Sequence, residues 1–185
     1  MPEIPAVVLR ARTDADRDVL FELAADLDTW EERNPEPPGL LTRELFDARL
    51  GAADSEAPET DVAFVVDVDG TAVGSASLFD VDPFARHAEA GINLLPEARG
   101  RGIGTAAIAQ LVDFGFVRLN LRRIHLQAIA SNTAALRAYQ KAGFVVEGRQ
   151  REHAWVRGAY EDIVLMGILR PTDPAGPTPG QRGRS

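Results

Sequence analysis

The chain has no cysteine. That excludes disulfides, thiolate metal sites and a cysteine nucleophile, and it fits a reducing compartment. With three histidines in all, no convincing cluster of metal ligands is expected. No apolar run reaches the ~18 residues that suggest a membrane-spanning helix. The first residues lack the basic and apolar stretches of a secretory signal. These absences lead to the expectation of a cytoplasmic protein. Positive charge is also scarce: 20 Lys and Arg stand against 28 Asp and Glu, a net charge of −8. An acidic surface repels nucleic-acid phosphates and anionic lipid, so neither is an expected partner, and a cationic substrate such as an amine is favoured. Solubility alone accounts for the same charge.

What is present is the ordinary balance of a globular protein: 185 residues, 45% hydrophobic and 26% charged, enough for one domain with a core. Ala6 to Arg12 reads as a strand. Thr13 and Asp16 then form a capping-box pattern, opening a helix to about Asp26 with Val19, Leu20, Leu23 and Leu27 on its apolar side. Glu31 to Gly39 reads as a loop. A short helix follows Thr42, carrying Leu45, Phe46 and Leu50, and Ala52 to Thr60 reads as another loop. Val62–Val68 and Thr71–Phe79 are strands joined by the hairpin turn Asp69-Gly70. Ala88 to Leu95 is a strand stopped by Pro96, and Gly102 to Leu119 is a long helix with the stripe Ala107, Ile108, Leu111, Val112, Gly115 and Phe116. Arg123 to Ile129 is a strand and Thr133 to Ala142 a helix ended by Gly143. Phe144–Ala154 and Ala159–Leu169 close the domain as a hairpin around Arg157-Gly158. The order is βααβββαβαββ, one α/β domain at 1–170. The tail at 171–185 holds four prolines and three glycines without an aromatic residue, and is expected to be disordered.

Two segments carry chemistry. Arg99-Gly100-Arg101-Gly102-Ile103-Gly104 is a glycine-rich turn opening a helix. Such a turn aims backbone N–H groups at one point, where an anion is held by the backbone and the helix N-terminus. Gly102 and Gly104 lack a Cβ, so a pyrophosphate can come close, and Arg99 and Arg101 add charge at the rim. Glycines before a helix also serve turn geometry alone. The spacing departs from the dinucleotide fingerprint, which disfavours a nucleotide-binding oxidoreductase, and the absence of Gly-Lys-Ser/Thr excludes a Walker loop. The second segment holds Asn132 and Tyr139, seven residues apart, on one helix face. Asn132 reads equally as an N-cap and Tyr139 as a packed aromatic.

Leu94-Leu95-Pro96-Glu97-Ala98-Arg99-Gly100-Arg101-Gly102-Ile103-Gly104 resembles the acetyl-CoA signature of the GNAT N-acetyltransferase superfamily. Ala130-Ser131-Asn132-Thr133-Ala134-Ala135 through Tyr139-Gln140-Lys141-Ala142-Gly143-Phe144 is similar to its second signature. Gly158-Ala159-Tyr160-Glu161-Asp162 resembles the ribosomal-protein N-terminal acetyltransferase branch. The resemblance spans about residues 6–170. It implies a mixed, mostly antiparallel central sheet flanked by helices, and acetyl-CoA as acetyl donor. Ile92, Asn93 and Leu94 match the strand whose backbone pairs with the pantetheine arm. Gly100, Arg101, Gly102, Ile103, Gly104 and Thr105, with Arg99 at the rim, match the pyrophosphate cradle. Asn132 matches a cofactor contact, and Tyr139 the phenol that protonates the departing thiolate, a role that suits a hydroxyl aimed at developing charge.

The general base is left open. Some relatives carry Glu where this chain has Gln127, which cannot act as a base. Glu89 lies on the strand of Asn93 and, by period 2, on its face. His153 on the last hairpin is a second candidate, and a water chain a third. Trp30, Glu31, Glu32, Trp155 and Tyr160 are candidates to line the acceptor site, where acidic and aromatic groups suit a cation. The expected activity is direct acetyl transfer to a primary amine, on a protein N-terminus or a small molecule, without metal. A catalytically silent acyl-CoA-binding module is the alternative. A homodimer through the sheet edge or last hairpin is compatible with the sequence.

Overall fold

Two tight turns show how local chemistry sets the frame. Asp69-Gly70 (φ 53° and 83°) and Arg157-Gly158 (φ 48° and 83°) both hold two successive left-handed residues, the geometry that matches the twist of a two-residue hairpin. They join β2 (Val62–Val68) to β3 (Thr71–Asp82) and β6 (Val145–Val156) to β7 (Ala159–Leu169). The computed structural model describes residues 6–27, 41–56 and 61–171. Its other elements are β1 (Val7–Arg10), α1 (Arg17–Ala25), α2 (Arg43–Glu56), β4 (His87–Leu94), α3 (Ile103–Val117), β5 (Arg123–Ile129) and α4 (Thr133–Lys141). Short 3-10 turns at Asp14–Asp16 and Pro96–Ala98 precede α1 and the glycine turn. The order of strands and helices matches the sequence reading.

The strands form one seven-stranded sheet in the order β1-β2-β3-β4-β5-β7-β6. Among the described residues the β4–β5 pairing alone is parallel. It is also short: His87 lies opposite Arg123, Ala88 opposite Ile124 and Glu89 opposite His125, and there the register ends. From Ala90 onward the two strands part, while β4 stays paired to β3 as far as Leu94. One face of the sheet is apolar. Ala88, Ala90, Ile124 and Leu126 join Ile103, Ala107, Ile108 and Leu111 of α3 in a core where each is 5% exposed or less. Burying a Leu or Ile side chain fully contributes roughly 1.5–3 kcal/mol, so this layer holds α3 across the centre of the sheet. At its end Asn120 takes the left-handed conformation (φ 54°), a role that Asn tolerates past a helix C-terminus.

Arg10 knits the other edge. Its guanidinium is bidentate to Asp16 at 2.7 and 2.8 Å and reaches Asp67 at 2.8 Å. Asp16 also accepts from the Thr13 N–H at 2.7 Å and hydroxyl at 2.8 Å, so the capping pattern read from Thr13 and Asp16 closes. Asp67 accepts from the Gly70 N–H at 2.7 Å. The Arg10 contacts hold the Asp16 carboxyl well below the usual carboxylate range.

Some boundaries differ from the sequence reading. β1 stops at Arg10, where that residue turns into the Asp16 contact and its pairing to β2 ends. α1 ends at Ala25 because Asp26 is extended (ψ 111°), which throws Leu27 out of the apolar stripe to 47% exposure. The loop expected from Ala52 is helical through Glu56; Ala52 and Ala53 are strong helix formers, and the next breaker in the chain is Pro58. The loop expected at Glu31 to Gly39 lies outside the described residues, as does the tail beyond Pro171. Among the described residues no helix is long and apolar enough to cross a membrane.

Candidate active site

The parting of β4 and β5 opens a cleft, and two helices complete it. One edge of β4 from Ala90 to Leu94 loses its strand partner there. α3 starts after the glycine turn at the end of β4, and α4 starts after β5. Together they enclose a cavity of ≈ 590 Å³. Glu89, Ile92, Asn93 and Leu94 line it from β4, Arg99, Gly100, Gly102, Gly104 and Thr105 from the turn and α3, and Asn132 and Tyr139 from α4. Most of the residues singled out in the sequence therefore meet in one place. Of those matched to the cofactor site, two do not: Arg101 is exposed outside the lining, and the Ile103 side chain is fully buried in the core.

The turn is built for close approach. Gly100 and Gly102 have φ of 72° and 82°, a region costly for residues with a Cβ. Gly102 is the N-cap of α3 and makes no side-chain cap. No acidic residue lies in the first turn of α3, so no carboxylate there competes with an anion for the helix N-terminus. Arg99 fastens the turn to the strand by donating from Nε to the Leu94 carbonyl at 3.0 Å. Asn132 differs: its Oδ1 accepts from the Ala135 N–H at 3.1 Å, a true N-cap. Ser131 before it donates from its N–H (3.1 Å) and hydroxyl (2.8 Å) to Glu161 of β7.

Tyr139 is 8% exposed, with its ring 6.0 Å from that of Phe144. Burial pushes its phenol up to about 12, so it is protonated near neutral pH and has a proton to donate. Glu89 lines the same cavity. Gln127 approaches one Glu89 oxygen with Nε2 at 3.5 Å, and His125 approaches the other with Nε2 at 3.7 Å. Burial lowers the His125 pKa below the ordinary imidazole value. Asn93 Oδ1 is buried without a hydrogen-bond partner, an acceptor left for something that enters the cavity.

The chain is similar to known proteins. Residues 6–145 match the acetyltransferase (GNAT) domain. The chain belongs to this family. It is 34% identical over 112 residues to the spermidine N(1)-acetyltransferase of Escherichia coli K12, and 33% identical over 102 residues to the putative ribosomal N-acetyltransferase YdaF of Bacillus subtilis. The match to the first covers 60% of this chain and 60% of the relative, and that to the second 55% and 56%. The chain thus spans under two thirds of the length of these curated relatives. Among solved structures, the spermidine N-acetyltransferase of Vibrio cholerae in complex with CoA and spermine superposes with a TM-score of 0.80 at 26% identity, covering 88% of this chain and 95% of that one.

Within this GNAT domain three further sequence candidates among the described residues fall away from the cavity. His153 is exposed on β6. Trp155 and Tyr160 meet edge to face across the last hairpin with ring centroids 4.9 Å apart, 58% and 66% exposed, and neither lines the cavity. Trp30, Glu31 and Glu32 lie outside the described residues. Sequence reasoning missed Ser77 and Phe79 of β3, and Arg137 and Lys141 of α4, which do line it. The i,i+4 spacing of Arg137 and Lys141 beside the Tyr139 face was the available signal for that pair. No cluster of metal ligands occurs among the described residues.

Proposed function

We propose that the chain is an acetyl-CoA-dependent N-acetyltransferase that moves the acetyl group directly onto a primary amine of a small polycation of the polyamine class. The observation that carries this reading is the meeting of a buried, protonated phenol, Tyr139, with the Glu89 carboxylate in one cavity rimmed by an open helix N-terminus. The cavity fits the donor: left-handed Gly100 and Gly102 leave the backbone bare at the start of α3, and the edge of β4 from Ile92 to Leu94 has backbone groups to spare. Gly100, Gly102, Gly104 and Thr105 would hold the pyrophosphate, with Arg99, Arg137 and Lys141 supplying positive charge; Ile92, Asn93 and Leu94 would pair with the pantetheine arm. Asn132 contributes by capping α4 and shaping the wall.

Bound acetyl-CoA supplies an activated thioester. Glu89 removes a proton from the substrate ammonium, freeing the nitrogen lone pair for attack on the carbonyl carbon. Tyr139 would give its proton to the sulfur as the carbon–sulfur bond breaks, and the second proton lost by the newly acylated nitrogen would restore the phenol. The chain's net charge of −8 and the kinship with spermidine N-acetyltransferases support a polycationic acceptor. The retained phenol and carboxylate argue against a silent binding module. A cytoplasmic location, where acetyl-CoA is supplied, belongs to the same reading, as does a homodimer along the β6 edge, where Val145 and Val146 are exposed.

The test is free-thiol release from acetyl-CoA across polyamines, amino acids, aminoglycosides and peptides with a free α-amino group. Rapid release with polyamines supports the proposal. Release with peptides alone moves the acceptor to a protein N-terminus, and no release with any amine despite acetyl-CoA binding overturns the enzymatic reading.

A further inference from the structure

Behind Glu89 lies a row of titratable groups on the face of the sheet opposite α3. The parallel register sets His125 across from Glu89, and His87 is two residues back on β4. His125 Nε2 stands 3.7 Å from Glu89 Oε2. The His125 and His87 rings meet edge to face at 5.7 Å, and His87 Nε2 stands 3.9 Å from Asp82 Oδ2. Side-chain exposure climbs along the row, from 18% at Glu89 to 29% at His125, 39% at His87 and 42% at Asp82. Of the four, Glu89 alone lines the cavity. In both histidines Nδ1 is buried without a partner, which leaves Nε2 as the nitrogen facing a carboxylate. The row therefore leads from the cavity to solvent.

We propose that His125 is the proton outlet of Glu89, receiving at Nε2 the proton that Glu89 takes from the substrate ammonium and returning it from that same nitrogen to water. This rests on the reading of the site as an amine acetyltransferase with Glu89 as base. The balance is simple. An N–H bond of the ammonium breaks and an O–H bond forms on Glu89; that O–H breaks as an N–H forms at His125 Nε2, restoring the carboxylate; the same N–H then breaks as Nε2 gives the proton to water, restoring the neutral imidazole. His125 acts through Glu89 and is a positioning and relay residue.

The surroundings suit a neutral acceptor. His125 is faced by Glu89 and His87 from β4 and by Arg123 on its own strand; Glu147 of β6 stands near, with Asp82 of β3 beyond His87. Across from it on β7 is Gly167, and a Cβ there would lie 2.6 Å from the Glu147 carboxylate and 2.7 Å from Arg123 Nη1. The bidentate Arg123–Glu147 pair thus closes over Gly167 and balances the Arg123 charge beside the imidazole. Burial keeps His125 below the ordinary imidazole pKa, so at neutral pH it is uncharged and able to take a proton.

The experiment is the pH profile of kcat for wild type and His125→Gln with the best acceptor amine, with acetyl-CoA KM and the thermal midpoint measured alongside. We expect His125→Gln to lower kcat about tenfold, to leave acetyl-CoA KM within about twofold, to move the acid limb from the imidazole range to the carboxylate range, and to be partly rescued by added imidazole. A wild-type kcat and acid limb in the variant, or a lower kcat with the limb unmoved and no rescue, overturns the outlet. A wild type that turns over no amine overturns the acetyl-transfer reading and the outlet with it. Should the variant fail to fold, the wild-type acid limb decides the matter by its temperature dependence: the large ionisation heat of an imidazole supports the outlet, and the small one of a carboxylate overturns it.

Discussion

The domain uses the same local unit twice, a central strand running into a helix, and finishes the two helices differently. α4 after β5 is closed: Asn132 caps it through the Ala135 N–H, and Glu161 anchors Ser131 just before it. α3 after β4 is open: its N-cap is Gly102 in the left-handed region, without a side-chain cap or an acid in the first turn. Unsatisfied N–H groups at a helix start cost stability unless something covers them. The closed helix is finished by its own sequence and presents Tyr139 at a fixed place. The open helix has no such finish in its own sequence. In the proposed mechanism chemistry and binding are thereby divided, with the acid on the closed unit and the anion site on the open one.

That division is open to attack at four points. Tyr139→Phe removes the acid and leaves the open helix alone, so kcat is expected to fall about 100-fold with acetyl-CoA KM unchanged in steady-state assays. Gly102→Asn puts a side chain on the open start; Asn is among the residues that tolerate left-handed φ. Acetyl-CoA is expected to bind about tenfold more weakly by calorimetry, or roughly 1.4 kcal/mol, with kcat little changed. Asn132→Ala strikes the closed unit. Losing the cap costs about 1 kcal/mol, seen as a fall of roughly 2–4 °C in the thermal midpoint, with acetyl-CoA KM nearly constant; a large KM increase without loss of stability would make Asn132 a ligand contact first and a cap second. The smallest effect is expected for Glu161→Gln, which weakens two exposed hydrogen bonds to Ser131 and should shift the midpoint by about 1–2 °C.

Acid stability gives a control remote from both helices. The Asp16 carboxyl lies below its ordinary 3.8 because Arg10 holds it. A carboxyl lowered by folding contributes stability above its unfolded pKa and loses it as pH falls toward its folded one. The thermal midpoint of the wild type is therefore expected to drop as pH falls below about 4, and Arg10→Met should flatten that part of the drop, with neither helix start involved.

The sequence showed the parts that depend on neighbours along the chain. Asp69-Gly70 and Arg157-Gly158 are turn dipeptides, the glycines at 100, 102 and 104 precede an apolar 3.6-residue stripe, and Asn132 to Tyr139 is two helical turns. Element order followed from these. What long-range pairing creates was hidden. The β4–β5 register that ends at Glu89, and so opens the cleft, depends on strands separated by the whole of α3. The same register puts His125 against Glu89, although the two lie 36 positions apart. Local context also failed to distinguish Ile103, whose side chain enters the core, from the glycines beside it that face the cavity. Trp155 and Tyr160 drew attention as aromatics in an acidic chain, yet an edge-to-face contact across the hairpin accounts for them.

The most direct test of the account is thiol release from acetyl-CoA by wild type and Tyr139→Phe with a polyamine acceptor, run beside acetyl-CoA binding to both proteins. The account predicts turnover by the wild type, a fall of about 100-fold in the variant and equal binding. Equal turnover by the two proteins, or binding without turnover in either, would contradict it.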